Sequence, residues 1–297
     1  MGRELEIAVP KIPPLHILPV PARTTHDPIA VALAEDIGRG DVTSRFFVGI
    51  ARRTARLFVK EPAVAAGVET AEEVFRRVDP QLTIEIIRPS GSPLEKGQAV
   101  LEVTGAVRSI LTAERVALNF LQQLSGVATL TRRYVDAVAG TQARILDTRK
   151  TTPGLRALEK AAVVAGGGQN HRFGLFDMVL VKDNHLLAQP ELEQLQDAIR
   201  RCRAENPDLH LEIEADTLDQ VRRFLTLTGV DVILLDNMAP TDLSEAVKLA
   251  AGRVQLEASG GVTIETVAAI AATGVDFISV GALTHSAPAV DYSLELT

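Results

Sequence analysis

Six short apolar runs rich in β-branched residues, at 143–146, 178–181, 209–213, 230–235, 254–258 and 277–280, constrain this chain more than any other feature. Helix-length stretches such as 217–227, 243–251 and 264–272 separate them. Runs that are apolar throughout, without alternation, belong to strands covered on both faces, and regular β-α spacing demands parallel pairing. An α/β barrel or a doubly wound sheet is therefore expected for the second half of the chain.

The residues that close these runs add a functional expectation. They are Asp147, Lys182, Glu214, Asp236, Ser259 and Gly281, none of them apolar. A parallel barrel gathers its strand C-termini on one face, where enzymes of that architecture keep their sites. Glu214 and Asp236 suit ribose hydroxyls or Mg²⁺, which takes one or two carboxylates and leaves the rest to substrate phosphates. Glu212 shares the face of Glu214, two residues earlier. Ser259-Gly260-Gly261 is expected to open directly into a helix, and Gly281-Ala282 follows the next strand, so both can offer backbone amides to a phosphate.

Between the first two runs lies DTRKTTPGLRALEKAAVVAGGGQNHRFGLFDMVLVKDNH, where Arg149, Lys150, His171, Arg172 and Lys182 are spaced irregularly among Gly, Thr and Asn. A solvated helical face would space its cations at three or four residues, whereas loops that converge on a ligand need not. Arg forks and Lys point charges fit carboxylates and phosphates. Gly166-Gly167-Gly168 is expected to let backbone amides approach an anion closely.

Before this region the pattern mixes helices at 28–36, 69–78 and 107–124 with strands at 54–60, 82–88 and 99–104, an α+β arrangement. Gly38-Arg39-Gly40-Asp41 reads as a turn, because no strand feeds it. Arg115 falls within the long amphipathic segment, where pairing with Glu114 is its ordinary role. The six prolines within 1–28 deny that segment a continuous helix or central strand, and an irregular arm is expected at 1–26. His16 and His26, within it, read as ordinary surface or packing residues.

Composition excludes several classes. A net charge of -7 argues against nonspecific nucleic-acid binding, which needs a basic surface. One cysteine, Cys202, allows no intramolecular disulfide or cysteine zinc cluster, and a reducing cytoplasm fits. No run approaches the roughly 20 apolar residues of a bilayer span, and no secretory leader is recognisable. Motifs of serine hydrolases, zincins and P-loops are missing too.

The runs DTRKTTPGLR, GGGQNHRFGLFD and VKDNH, with ALAEDIGRGDVTS, LTAERVALNFLQQLSGVAT, EIEADTLDQ, ILLDN, EASGGV and ISVGALTHS, resemble the quinolinate phosphoribosyltransferases. The likeness extends from about Ala30 to Asp291. It implies an N-terminal α/β sandwich domain at 27–126, joined by 285–297, and a C-terminal incomplete α/β barrel with parallel strands at 127–284. It implies transfer of a phosphoribosyl group from phosphoribosyl pyrophosphate to quinolinate, yielding nicotinate mononucleotide, pyrophosphate and CO₂ in NAD biosynthesis, with Mg²⁺ and a homodimer or higher homo-oligomer.

Carried onto this sequence, the resemblance places Arg115 in the neighbouring subunit's site. Arg149, His171, Arg172 and Lys182 line the quinolinate pocket, Thr148 also binds substrate, and Lys150 lies near phosphoribosyl pyrophosphate. Glu214 and Asp236 hold ribose and metal, and Ser259, Gly260, Gly261, Gly281 and Ala282 bind the 5′-phosphate. Lys150, Glu214 and Asp236 are the expected catalytic set. Two alternatives stay open: a divergent relative of the molybdate-transport-associated type, and a Schiff-base barrel lyase using Lys182 or Lys150.

Overall fold

The computed structural model describes residues 27–186 and 191–297. The arm expected at 1–26, with His16 and His26, lies outside the described residues. In chain order the elements begin with α1 (Pro28–Ile37), α2 (Val42–Phe47), β1 (Arg52–Val59), β2 (Ala63–Val64), α3 (Val68–Val78), β3 (Thr83–Ile86), β4 (Pro93–Leu94), β5 (Ala99–Ala106) and α4 (Val107–Ala137). Next come β6 (Arg144–Leu146), α5 (Arg156–Ala165), β7 (Val179–Val181), α6 (Asp183–Leu186), α7 (Leu192–Glu205), β8 (Leu211–Ala215) and α8 (Leu218–Phe224). The chain closes with β9 (Val232–Asp236), α9 (Pro240–Ala250), β10 (Gln255–Ser259), α10 (Val267–Ala271), β11 (Phe277–Ser279), α11 (Ala282–His285) and β12 (Tyr292–Leu296).

These elements form two compact units. The first contains Ala137–Leu146 and His171–Val280. Its sheet is wholly parallel, in the order β6-β11-β10-β9-β8-β7. β6 and β7 are consecutive in the chain yet occupy opposite edges, which is an α/β barrel left open between them. Ile213, Ile233, Leu235 and Ile278 are sealed from solvent, as apolar runs covered on both faces should be. Burying each such side chain stabilises by about 1.5–3 kcal/mol.

The second unit contains 27–136, Asp147–Asn170 and Gly281–Thr297. Its antiparallel sheet has the order β12-β1-β5-β3, with the C-terminal strand β12 paired to β1 from Ala55–Leu296 to Val59–Tyr292. β1 alternates as a half-buried strand must, with Ala55, Leu57 and Val59 inside. Helix α3 buries Val68, Ala71, Val74 and Phe75 on one stripe, while Arg76–Glu72 and Arg77–Glu73 pairs four residues apart occupy its solvent side. This sandwich of antiparallel sheet and helices agrees with the expected fold class.

The turn at Gly38 and Gly40 is real, with φ of +51° and +122°, and Asp41 then caps α2 by accepting from the Ser44 amide at 2.8 Å. Two expectations need correction. Helix α4 runs to Ala137, not 124, because Val127, Ala128, Thr131 and Tyr134 continue its buried face. Gly126 does not stop it; a Cβ there would meet the Pro288 carbonyl at 2.2 Å, so this glycine permits close packing. As expected, Asp236 and Ser259 are the last residues of β9 and β10, and Glu214 is the last but one of β8. Finally, Ser259-Gly260-Gly261 does not open directly into a helix: α10 begins at Val267.

Candidate active site

In the barrel unit the C-terminal ends of neighbouring strands collect an oxygen-rich set. Glu214 of β8 is buried and accepts a hydrogen bond from Lys182 Nζ, just past β7, at 2.9 Å. Glu214, Asp216 and Asp236 each bring a carboxylate oxygen within 4.8 Å of the others. Asn237 follows Asp236 with φ of +53°, a conformation Asn tolerates better than most residues, and its Nδ2 donates to Asp236 Oδ2 at 2.6 Å. The Asn237 amide also donates to the Ser259 carbonyl at 2.8 Å, tying the ends of β9 and β10 together.

Gly260 stands at φ +95°, and a Cβ there would come 2.2 Å from Asn237 Oδ1. Only glycine fits. Among the described residues the amides of Gly260 and Gly261 donate to no protein group, so both can serve an anion.

A second cluster in this unit is buried. His171 Nε2 is 3.1 Å from Glu212 Oε2 and 3.5 Å from Glu257 Oε2. The Arg172 amide donates to His171 Nδ1 at 2.7 Å, which puts the proton of the neutral ring on Nε2, facing the carboxylates. Burial, followed by the neighbouring carboxylate, pushes the Glu257 carboxyl well up. Burial likewise dominates at Glu212, opposed by the positive charges of Arg172 and Lys182. Glu212 and Glu214 share one face of β8 but do different things, one meeting His171 and the other Lys182. Arg172 is buried and donates through Nη1 to the Met178 carbonyl at 3.5 Å.

The other unit holds the remaining expected residues. Thr148 Oγ1 accepts from the Lys150 amide at 3.0 Å, which tightens the loop after β6. Among the described residues Arg149 Nε is buried without a hydrogen-bond partner, and Lys150 is exposed with no ion pair. Gly281 packs against both Lys150 and His285, where a Cβ would meet Lys150 Cδ at 3.0 Å. Ala282 opens the four-residue helix α11. Arg115 is exposed on α4 and, among the described residues, forms no ion pair with Glu114 or any other carboxylate.

The Gly166-Gly167-Gly168 run departs from its expected role. All three amides are consumed, by Ala162, Val164 and Val163 carbonyls at 2.9–3.0 Å. Cβ atoms at Gly166 and Gly168 would strike Ala128 O at 2.4 Å and Thr131 Cγ2 at 2.8 Å. These glycines end α5 and let it lie against α4. They leave no amide for an anion.

Asp216, Asn237, Glu257 and the buried Lys160 were not singled out from sequence. Asn237 had a local signal, an Asn directly after a strand-closing Asp, where a left-handed turn is common. Glu257 had none, because a glutamate inside an apolar run reveals neither its face nor its partner.

An open parallel barrel with paired carboxylates, a lysine and free glycine amides at its strand ends belongs to the class of barrel proteins whose strand-end site suits a phosphorylated, hydroxyl-bearing ligand. The comparisons narrow that class. Residues 127–295 match the quinolinate phosphoribosyl transferase C-terminal domain and 41–125 its N-terminal domain. A Bacillus subtilis protein named probable nicotinate-nucleotide pyrophosphorylase (carboxylating) is 41% identical over 264 residues, 89% of this chain and 90% of its own. The Arabidopsis thaliana chloroplastic nicotinate-nucleotide pyrophosphorylase (carboxylating) is 43% identical over 296 residues, 93% of this chain and 84% of its own. The nicotinate-nucleotide pyrophosphorylase structure from Francisella tularensis superposes with a TM-score of 0.85 at 38% identity, covering 91% of this chain and 94% of that one. The chain belongs to the quinolinate phosphoribosyltransferase family.

Proposed function

We propose that the protein transfers the phosphoribosyl group of phosphoribosyl pyrophosphate to quinolinate with decarboxylation, giving nicotinate mononucleotide, pyrophosphate and CO₂ in NAD biosynthesis. One observation carries the reading: the paired carboxylates Glu214 and Asp236, with Lys182 bonded to the first, share the strand ends that also hold Gly260 and Gly261. That combination suits a ribose 5-phosphate flanked by an anionic partner.

In this reading the pyridine nitrogen of quinolinate attacks ribose C1 as the bond from C1 to the pyrophosphate oxygen breaks. Lys150 stabilises the departing charge. The quaternised ring then loses its 2-carboxylate as CO₂, and the electron pair left on C2, held beside the cationic nitrogen, takes up a proton. Arg149, Arg172, Lys182 and Thr148 hold the two carboxylates, with Arg115 supplied by a neighbouring subunit. His171, both ring nitrogens engaged within the fold, forms a wall of the pocket and fixes the Arg172 amide. Ser259, Gly260, Gly261, Gly281 and Ala282 take the 5′-phosphate.

The oxygen-only donor set fits Mg²⁺, since Glu214 and Asp236 each commit one oxygen to a neighbour and keep another. When bound there, Mg²⁺ would neutralise pyrophosphate charge. A homo-oligomer is supported by exposed Val42, Phe46, Phe47 and Ile50, an apolar stretch that a partner would cover. A cytoplasmic setting is supported by the single Cys202, and no described helix is long and apolar enough to cross a membrane.

The test is incubation of the purified protein with quinolinate, phosphoribosyl pyrophosphate and Mg²⁺, following nicotinate mononucleotide and CO₂. Both products in equal amounts support the reading. No turnover by folded protein would replace it with the divergent-relative reading, and a keto substrate trapped by borohydride on Lys182 or Lys150 would replace it with the lyase.

A further inference from the structure

Three residues on one face of α5, Arg156, Glu159 and Lys160, hold the loop that precedes it through its backbone and side chains. Lys160 is only 2% exposed, and its ammonium reaches the fully buried carboxylate of Asp147. With its amide oriented toward both, Asn170 donates to the other Asp147 oxygen at 2.6 Å and to the Lys160 carbonyl at 2.9 Å. Glu159, also fully buried, accepts the Thr152 amide at 3.0 Å. Arg156 donates through Nε to Thr151 Oγ1 at 3.0 Å and through Nη2 to the Arg149 carbonyl at 3.3 Å. From α11, Thr284 Oγ1 donates to the Lys150 carbonyl at 2.8 Å.

The loop is thus anchored at 147, 149, 150, 151 and 152, and the anchoring groups bind backbone or small side chains. The cations themselves are spared. Among the described residues Lys150 has no ion pair and Arg149 Nε has no hydrogen-bond partner. A buried ion pair is a poor source of stability, since well-packed apolar residues of similar volume do as well or better. What it does provide is direction: the buried Lys160 ammonium holds the Asp147 carboxylate in place, and Asp147 is the residue from which the Thr148-Arg149-Lys150 segment departs.

We propose that the Lys160–Asp147 pair is a positioning device, aided by Glu159 and Arg156, that sets where Arg149 and Lys150 stand before substrate arrives. The proposal rests on the reading of those two cations as substrate ligands. Misplacing such a group by about 1 Å can cost roughly a hundredfold in rate. Neither Lys160 nor Asp147 need touch substrate to have that effect.

The experiment is the double variant Lys160→Met with Asp147→Asn, which removes both buried charges and keeps the acceptor for Asn170. Its melting temperature should stay close to that of the parent, while KM for phosphoribosyl pyrophosphate and quinolinate rises at least tenfold, more than kcat falls. A folded double variant with parental KM values overturns the proposal. Hydrogen exchange of the unaltered protein gives a second, variant-free readout: the Thr152 and Lys150 amides should be protected to the level of α5, and exchange as fast as an exposed loop would also overturn it. Were the parent itself to lack turnover, the functional reading would fail. Binding of inorganic pyrophosphate to parent and double variant would then replace the KM comparison, with at least tenfold weaker binding by the variant expected and equal binding counting against the device.

Discussion

His171 Nε2 lies 3.1 Å from Glu212 Oε2, and Glu257 closes the cluster from the next strand but one, so two carboxylates and an imidazole share a site closed to solvent. Two adjacent buried carboxylates cannot both ionise cheaply, and burial favours the protonated carboxyl here.

That proton links stability to pH. Burial raises the Glu257 and Glu212 carboxyls from 4.5 to about 8, so between those values the folded protein binds more protons here than the unfolded chain. The pair's contribution is complete below 4.5 and is lost as pH rises through about 8. Glu257→Gln, which keeps a hydrogen-bonding group but cannot ionise, should flatten the fall in stability across this window. Denaturant unfolding of both proteins as a function of pH checks this, and an unchanged slope would contradict it.

Lys182→Met should cut kcat/KM for quinolinate roughly ten- to hundredfold, the value of a charge-assisted hydrogen bond of about 1.5–3 kcal/mol. The variant also deprives buried Glu214 of its cation. Initial-rate kinetics with quinolinate varied at saturating phosphoribosyl pyrophosphate measure the effect.

Gly260→Ala should destabilise the protein by about 1–3 kcal/mol, since both its left-handed φ and the Asn237 side chain oppose a Cβ. The strain falls at the ends of β9 and β10, so activity should drop more than stability alone explains. Chemical denaturation and a rate assay on the same sample separate the two effects, and parental behaviour in both would refute the steric argument.

Arg115→Ala and Arg149→Ala should each be inactive alone, yet mixed and reassembled they should recover roughly a quarter of parental activity. Half of randomly formed dimers would be mixed, and each would contain one complete site. Recovery at the background level would place Arg115 within its own subunit's site or outside any site.

Quinolinate should be preferred over nicotinate by at least roughly a hundredfold. A monoacid would leave one buried cation uncompensated, at a cost of about 3–5 kcal/mol. Competition between the two acids in one reaction gives the ratio directly, and comparable turnover would show that the pocket does not depend on both carboxylates.

Much of the barrel was legible because its cause is local. Each strand declares itself by a run of apolar, β-branched residues, and regular alternation with helices leaves parallel pairing as the economical solution. The same locality explains the errors. The helix expected to end at 124 continues through Gly126, and only the Pro288 carbonyl against it shows why a glycine is needed in mid-helix. Gly166-Gly167-Gly168 looks like an anion loop until α4 is seen to lie against it. Glu212 and Glu214 could be assigned to one face by their spacing, but spacing names a face and not the neighbour across it.

By itself, then, the sequence determined the β-α alternation of the second half, the parallel pairing of its strands, and the cations and carboxylates that close them, since these follow from periodicity and residue chemistry within a few positions. Tertiary structure decided that Glu214 meets Lys182 while Glu212 meets His171 and Glu257, that Asn237 and Gly260 brace one another, and that Lys160 is buried on Asp147. Those outcomes depend on which surfaces exclude water together. Burial and partner choice arise only when distant segments pack, and no window along the chain contains that information.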